Sequence, residues 1–484
     1  MNKIVVNYLF NASYQLLVVL LPFITMPYIA RVLGPEMLGV NAYTYSIIQI
    51  LIIVGMVGIP LYGNRQIGIY ADKGKEKLSQ EFWSIYLIQF VGIITCLVFY
   101  TFYSLSLSSE FWIKISLLQG LHLLGFLFDI SWLLIGVQKL KETVTRNLIF
   151  KILAVILIFT FVKDENDLDL YILIMSGSMV LGQIVIWYYA KDIIHIKPYI
   201  NIQSLKKHIK PIMILFLPQI LGQLYLSLDK VILKVFTTEV QVAYYDQALK
   251  IVKLVLTIVT SIGVVMLPNI SSEFAKGNKE KVKYYVEKVF RYILFITIPM
   301  AIGLYSISSN FVQWFLGPEF LEVADLIKII SPIIFFIGLG SLFGIQILAA
   351  IGDSKKLTIS IFFGALISVT LSLILVPKYG SYAAAFSTLL AEAAVAVIQF
   401  YFVKEYIQLK RVSKSFCLYI ISSMLMMVAI YFIGLLDISV ILKTFLQVSL
   451  GSVIYIGVLG LLKEEFVFDV KKEVISIAIG KKSN

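Results

Sequence analysis

Three lysines of this chain sit inside apolar runs, where a positive charge is costly and needs a physical reason. They are Lys230, in LYLSLDKVIL, and Lys250 and Lys253, in DQALKIVKLVLTIV. Lys250 and Lys253 are three residues apart and so share one helical face. Two further cations, Arg31 and Lys234, end apolar runs. Together the five would suit an anionic ligand in a basic, water-filled lumen. Each also has a plainer role. Arg31 and Lys234 can reach polar surroundings on their long stems. Lys230 can pair with Asp229 or a neighbouring helix, and Lys250 has Asp246 four residues earlier. Lys253 has no carboxylate at either helical spacing, which makes it the strongest single candidate.

Uncharged polar residues accompany these cations. Tyr43, Gln49, Gln223, Tyr245 and Gln247 lie in the same or neighbouring apolar runs. Tyrosine rings stack on sugar rings, and glutamine amides both donate and accept hydrogen bonds. The commoner fate of such residues is packing between helices. His122 and Asp129, seven apart, and Glu392 could relay protons or hold a coupling cation. Polar contacts between helices account for them more economically. The remaining histidines, His195 and His208, are scattered, and Cys96 and Cys417 both lie in apolar runs. That spacing predicts no metal site, no disulfide framework and no cofactor. Neither a catalytic constellation nor a phosphate-cradling glycine loop is legible.

The elements that must position these residues follow from composition. Of 484 residues, 59% are hydrophobic and 14% charged, against about a quarter charged in a soluble domain. Only a bilayer tolerates so much apolar surface. Runs long enough for its hydrocarbon core fall at 7–30, 42–62, 82–103, 113–136, 147–162, 170–190, 211–233, 242–265, 289–307, 326–349, 358–376, 383–403, 416–436 and 443–462. They predict an all-α integral membrane protein with about fourteen transmembrane helices. The fifth run is short, and a start at Thr143 is its alternative bound. The first run lacks a small-residue cleavage site at its end and reads as a retained helix.

Most of the 41 Lys and Arg residues lie in the gaps on one side of these spans. The other side holds Arg31, Lys114, Lys163, Lys234, Lys328, Lys378 and Lys443. The bias stays in register along the chain and predicts both termini in the cytoplasm. It also explains the net charge of +12 as a topology signal, so no nucleic-acid partner is expected.

A faint internal repeat organises the spans. LGVNAYTYSIIQIL (38–51) resembles VQVAYYDQALKIVKL (240–254), matching Val40 to Val242 and Tyr43 to Tyr245. IGVQKLKETVTRN (135–147) resembles IGDSKKLTISIFF (351–363), matching Gly136 to Gly352 and Lys139 to Lys355. Parallel repeats of this kind are one transporter plan. They predict an N-lobe at 1–198, a C-lobe at 199–403, and a last helix pair with a cytoplasmic tail at 404–484.

Four segments carry a family resemblance. PYIARVLGPEMLGVNAYTYSIIQI (27–50) has Arg31, Leu33, Gly34, Pro35, Glu36 and Gly39 in an R-x-L-G-P-E-x-x-G arrangement. DISWLLIGVQKLKETVTRNLIFKI (129–152) has Asp129, Trp132, Gly136, Asn147 and Lys151 at favoured places. LDKVILKVF, VAYYDQALKI and VVMLPNIS follow, then QILAAIGDSKK (346–356) and LVPKYGSYAAAFSTLLAE (375–392). Across nearly its whole length the chain resembles the Wzx-type polysaccharide flippases of the multidrug/oligosaccharidyl-lipid/polysaccharide (MOP) superfamily. It departs from them at Tyr382, where glycine is common, so helix packing there is expected to differ. The resemblance implies two lobes in a V around a central cavity that opens alternately to each face. It also implies an undecaprenyl-linked glycan substrate, a place in a bacterial cytoplasmic membrane, and polymerase and glycosyltransferases as pathway partners. The five cations would then meet the pyrophosphate. A lipid II flippase and a multidrug exporter share the superfamily. A membrane-embedded sugar polymerase is the reading from another class, and it would call for a larger outer loop than this chain has.

Overall fold

The computed structural model describes residues 3–198, 202–407 and 409–464. The tail beyond Glu464, assigned above to the cytoplasm, lies outside the described residues. The described chain is helical, with no strand among those residues. In order, the helices are α1 (Lys3–Met56), α2 (Ile59–Tyr70), α3 (Lys75–Leu105), α4 (Glu110–Leu127), α5 (Ser131–Gly136), α6 (Leu140–Phe161), α7 (Leu168–Ala190) and α8 (Ile202–Phe236). Then come α9 (Glu239–Ala275), α10 (Lys279–Phe315), α11 (Leu321–Ile330), α12 (Ile333–Gly340), α13 (Ser354–Val403), α14 (Leu409–Gly434) and α15 (Val440–Leu461). Each apolar run named above lies mainly on helix, with breaks at 57–58, 128–130 and 331–332 inside the runs 42–62, 113–136 and 326–349. Among the described residues, nine helices are long and apolar enough to cross a membrane, or eleven if each of two bent pairs counts as one span.

Two of the long helices are each broken at a glycine. Within α1 the break is Gly34, at φ 66°, ψ 175°, and Pro35 opens the helix that follows. A side chain at that φ would be strained, and proline suits a first helical turn because its missing N–H is one of the unpaired donors there. The LGPE motif is thus a hinge between two expected spans. The corresponding break in α13 is Gly380, at φ 56°.

The chain divides into two compact units, Met1–Ala243 and Tyr244–Asn484. In the first, Ile48, Ile52, Ile93, Cys96, Tyr100 and Leu123 form one buried cluster. Ile59, Phe82, Ile85, Trp132, Leu133 and Ile186 form another. The second unit is built around Val286, Ile293, Leu342, Phe343 and Tyr419.

The step from α4 to α5 shows how polar side chains make a break affordable in an apolar setting. Three consecutive carbonyls, those of Leu127, Phe128 and Asp129, lose their backbone partners there, and Phe126 O is left with a tight turn from Asp129 N at 3.3 Å. Gln89 Nε2 donates to Phe126 O at 2.9 Å and Asp129 O at 2.8 Å. Tyr86 Oη donates to Leu127 O at 3.1 Å, and Trp187 Nε1 donates to Phe128 O at 3.0 Å. Trp132 Nε1 donates to Gln89 Oε1 at 3.0 Å, which fixes the amide. Each of these carbonyls left bare would cost several kcal/mol in hydrocarbon.

Candidate functional site

Two of the candidates in the first unit, Tyr43 and Lys234, line one pocket. Residues at the end of α3, the start of α4, the second half of α1 and the end of α8 enclose about 190 Å³, with Tyr43, Tyr103, Trp112, Ser116 and Lys234 in the wall. The Tyr43 ring meets Trp112 edge to face at 5.9 Å. The Tyr43 and Tyr103 hydroxyls are 3.4 Å apart. Lys234 Nζ lies 2.8 Å from Glu239 Oε1 and 5.3 Å from the Trp112 ring centroid. Aromatic faces beside hydroxyls and one cation can hold a sugar ring and an acidic group together.

One turn and a half further along α1, Gln49 joins Gln223 through Ser227. Gln223 Nε2 donates to Ser227 Oγ at 2.7 Å, and Ser227 Oγ donates to Gln49 Oε1 at 3.4 Å. Lys230 lies one turn beyond Ser227, half-buried beside the fully buried Asp229. Arg31 is exposed, three residues before the Gly34 break.

In the second unit, Lys250 Nζ lies 2.6 Å from Asp246 Oδ2, as the i,i+4 spacing allows. Lys253 is exposed on the same helix, and Gln247 is buried. Tyr245 is buried and shares a hydrogen bond of 2.6 Å with Thr388 Oγ1. Glu392 is buried on α13.

His122 and Asp129 have separate surroundings. His122 Nδ1 is 3.2 Å from Gln119 O, and its ring meets Tyr45 edge to face at 5.0 Å. Asp129 stands at the α4–α5 break, where Oδ1 accepts from Ser131 N at 2.9 Å. Among the described residues no group of three or more His, Cys, Asp and Glu is placed to hold a metal ion.

Two groups escaped the sequence reading. One is the buried cluster joining α2, α3 and α8. Tyr62 Oη is 2.7 Å from His208 Nδ1, and His208 Nε2 is 3.5 Å from Glu81 Oε2. Glu81 also accepts from Lys207 and, at 3.2 Å, from Gln66. The other is Arg146, which the apolar runs leave in a polar gap. The structure corrects that placement, because α6 starts at Leu140 and Arg146 is 4% exposed. The alternative start of the fifth run at Thr143 encloses this residue, and α6 begins three residues earlier still.

These features define an all-α multi-pass membrane protein whose cavities present cations, aromatic rings and amides. The chain belongs to the polysaccharide biosynthesis protein family, whose model matches residues 4–274. It is 24% identical over 389 residues to a protein of Escherichia coli K12 named as an O-antigen transporter, covering 80% of this chain and 93% of that one. It is 30% identical over 243 residues to an uncharacterized membrane protein of Methanocaldococcus jannaschii, but there spans only 48% of the relative's length. Among solved structures it is similar to the lipid II flippase MurJ in an inward closed conformation. That likeness has a TM-score of 0.79 at 18% identity and covers 95% of this chain and 100% of the other. The fold is therefore the MOP-type fold that the motifs implied.

Proposed function

We propose that the chain moves an undecaprenyl-pyrophosphate-linked oligosaccharide repeat unit from the inner to the outer leaflet of a bacterial cytoplasmic membrane. The flipped unit feeds assembly of a capsule, exopolysaccharide or teichoic-acid-type polymer. Translocation breaks no bond. It needs a polar path and two conformations that expose the path in turn, here supplied by lobes at 1–198 and 199–403, with the helices after 404 added to them. In this reading about fourteen spans place both termini in the cytoplasm.

The observation that carries the reading is the pocket of Tyr43, Tyr103, Trp112 and Lys234, which offers ring-stacking faces beside a cation. The match along 93% of the E. coli relative supports it. Arg31, Lys230, Lys250 and Lys253 would meet the pyrophosphate, and Gln49, Gln223, Tyr245 and Gln247 the sugars. His122, Asp129 and Glu392 remain the candidates for ion coupling. Polymerase and glycosyltransferases of the same pathway would supply and consume the substrate.

The test is a deletion strain. Undecaprenyl-linked repeat units should accumulate on the inner leaflet while surface polymer falls, and the wild-type gene should restore export. Purified protein in lipid vesicles that made or broke a glycosidic bond would overturn the reading.

A further inference from the structure

A second cavity, about 350 Å³, lies wholly within the first unit, among α1, α4, α6 and α7. Its wall has two unlike ends. Arg146, Asn147, Lys151 and Gln183 mark one end, where α6 begins and α7 approaches its finish. Ala154, Val155, Ile158, Met175 and Met179 continue the wall away from them. Arg146 donates through Nη1 to Gly182 O at 3.2 Å and Gln183 Oε1 at 2.6 Å, which pins the two helices at the polar end. From Arg146 to Ile158 the wall runs about 18 Å at the usual helical rise.

Charge and shape point the same way. Arg146 is 4% exposed, and Lys151, exposed, lies in the same wall. Among the described residues lining the cavity there is no carboxylate. Arg146 also donates through Nη2 to Asn147 Oδ1, so its guanidinium is held in place and offers an anion its fixed positive charge, to which the Lys151 ammonium adds a mobile one. The neighbouring apolar wall would be a poor site for a bare ion but gains from an alkyl or prenyl chain.

We propose that this cavity binds a lipid bearing a phosphate head group, with the phosphate between Arg146 and Lys151 and the chain along the α6–α7 wall. A prenyl phosphate carrier and a membrane phospholipid both offer that chemistry. Binding needs no transport, so its failure would leave the proposed function untouched.

The probe is radiolabelled farnesyl monophosphate, bound at equilibrium to the purified full-length protein in a maltoside detergent. Farnesol, inorganic phosphate and dihexanoyl phosphatidylglycerol serve as competitors. Farnesyl phosphate should bind saturably, and farnesol and inorganic phosphate should compete at least about tenfold less well than unlabelled farnesyl phosphate. Lys151→Gln should weaken binding roughly tenfold, the loss of one charge-assisted hydrogen bond. Val155→Trp should block the apolar wall and abolish binding. Arg146→Gln removes donors to Gly182 and Gln183 and is expected to disturb folding, so the decision rests on the other two variants at matched gel-filtration profiles. Competition by phosphatidylglycerol would support the site with bulk lipid as its occupant; its failure to compete would support the site with prenyl phosphates. Inorganic phosphate competing as well as the prenyl ester would overturn the proposal. So would unchanged binding in both Lys151→Gln and Val155→Trp.

Discussion

Gly39→Ala tests whether the Lys234 pocket is positioned by a backbone contact. A methyl group on Gly39 would stand 1.8 Å from the Glu239 carbonyl oxygen, 2.4 Å from its carbon and 2.9 Å from its Cα. These are backbone atoms, so no rotamer change relieves the overlap. An ordinary carbon–oxygen contact is about 3.3 Å, so the start of α9 must shift by roughly 1.5 Å. Glu239 carries the carboxylate held 2.8 Å from Lys234, and such a shift is enough to break that pair. Overpacking of this size costs about 1–3 kcal/mol. The assay is thermal unfolding of purified protein in detergent, together with polymer export at matched membrane levels. The control is Gly177→Ala, because a methyl group there meets nothing within 4 Å. Gly39→Ala should melt several degrees lower than the control and export less, with Gly39→Val worse on both counts. Equal melting and equal export for Gly39→Ala and Gly177→Ala would refute the reasoning.

Other outcomes follow from the same geometry. Cysteine probes at 163–169 and 310–322 should react with an impermeant reagent from outside, and probes at 70–78, 276–284 and 404–414 should not; reaction at the latter sites would reverse the orientation. Lys253→Ala should insert normally yet export poorly, with Lys253→Arg partly active; wild-type export by Lys253→Ala would remove that residue from the path. Lys250→Ala withdraws an ammonium from Asp246, whose carboxylate is 4% exposed. It should cost about 1–3 kcal/mol, and a double variant with Asp246→Asn should recover part of the loss in a melting experiment. Asp353 caps α13, its side chain accepting from Lys356 N at 3.3 Å and lying 2.8 Å from Lys356 Nζ. Lys356 holds the Asp353 carboxyl below its ordinary range. A depressed folded-state value stabilises above the unfolded value of about 3.9 and loses that contribution as pH falls through the folded value. Asp353→Ala should cost about 1 kcal/mol, read at neutral pH, and the difference from wild type should shrink toward pH 3.

The helices were legible because apolar runs of span length have one solution in a bilayer. The breaks were not read, although LGPE pairs a glycine with a proline at the one in α1. Nor were the partners of the α4–α5 break. Gln89 and Trp187 reach it from other helices, and spacing along one chain says nothing about which carbonyl a distant amide will meet. For the same reason Tyr43 and Lys234 were found one by one, while Trp112 and Tyr103, which join them into a pocket, were not. Pairing rules within a helix fared better, because i,i+4 geometry is local, and Asp246 meets Lys250 as that spacing requires.

Arg146 exposes a bias in how charge is read from a sequence. Hydropathy windows assign a cation near the edge of an apolar run to water, because that is the less costly assumption. The structure places Arg146 six residues inside α6 and buries it. What makes this possible is a backbone carbonyl and an amide from α7, supplied by Gly182 and Gln183. A window centred on α6 cannot see either. The cations that matter to a membrane protein are those whose partners come from another helix, and composition alone sorts them with the surface charges. A lysine in mid-run, such as Lys253, draws attention by its position. A guanidinium at the edge of a run does so only once the facing helix is known, which is why the better-enclosed basic site of the first unit emerged from the structure.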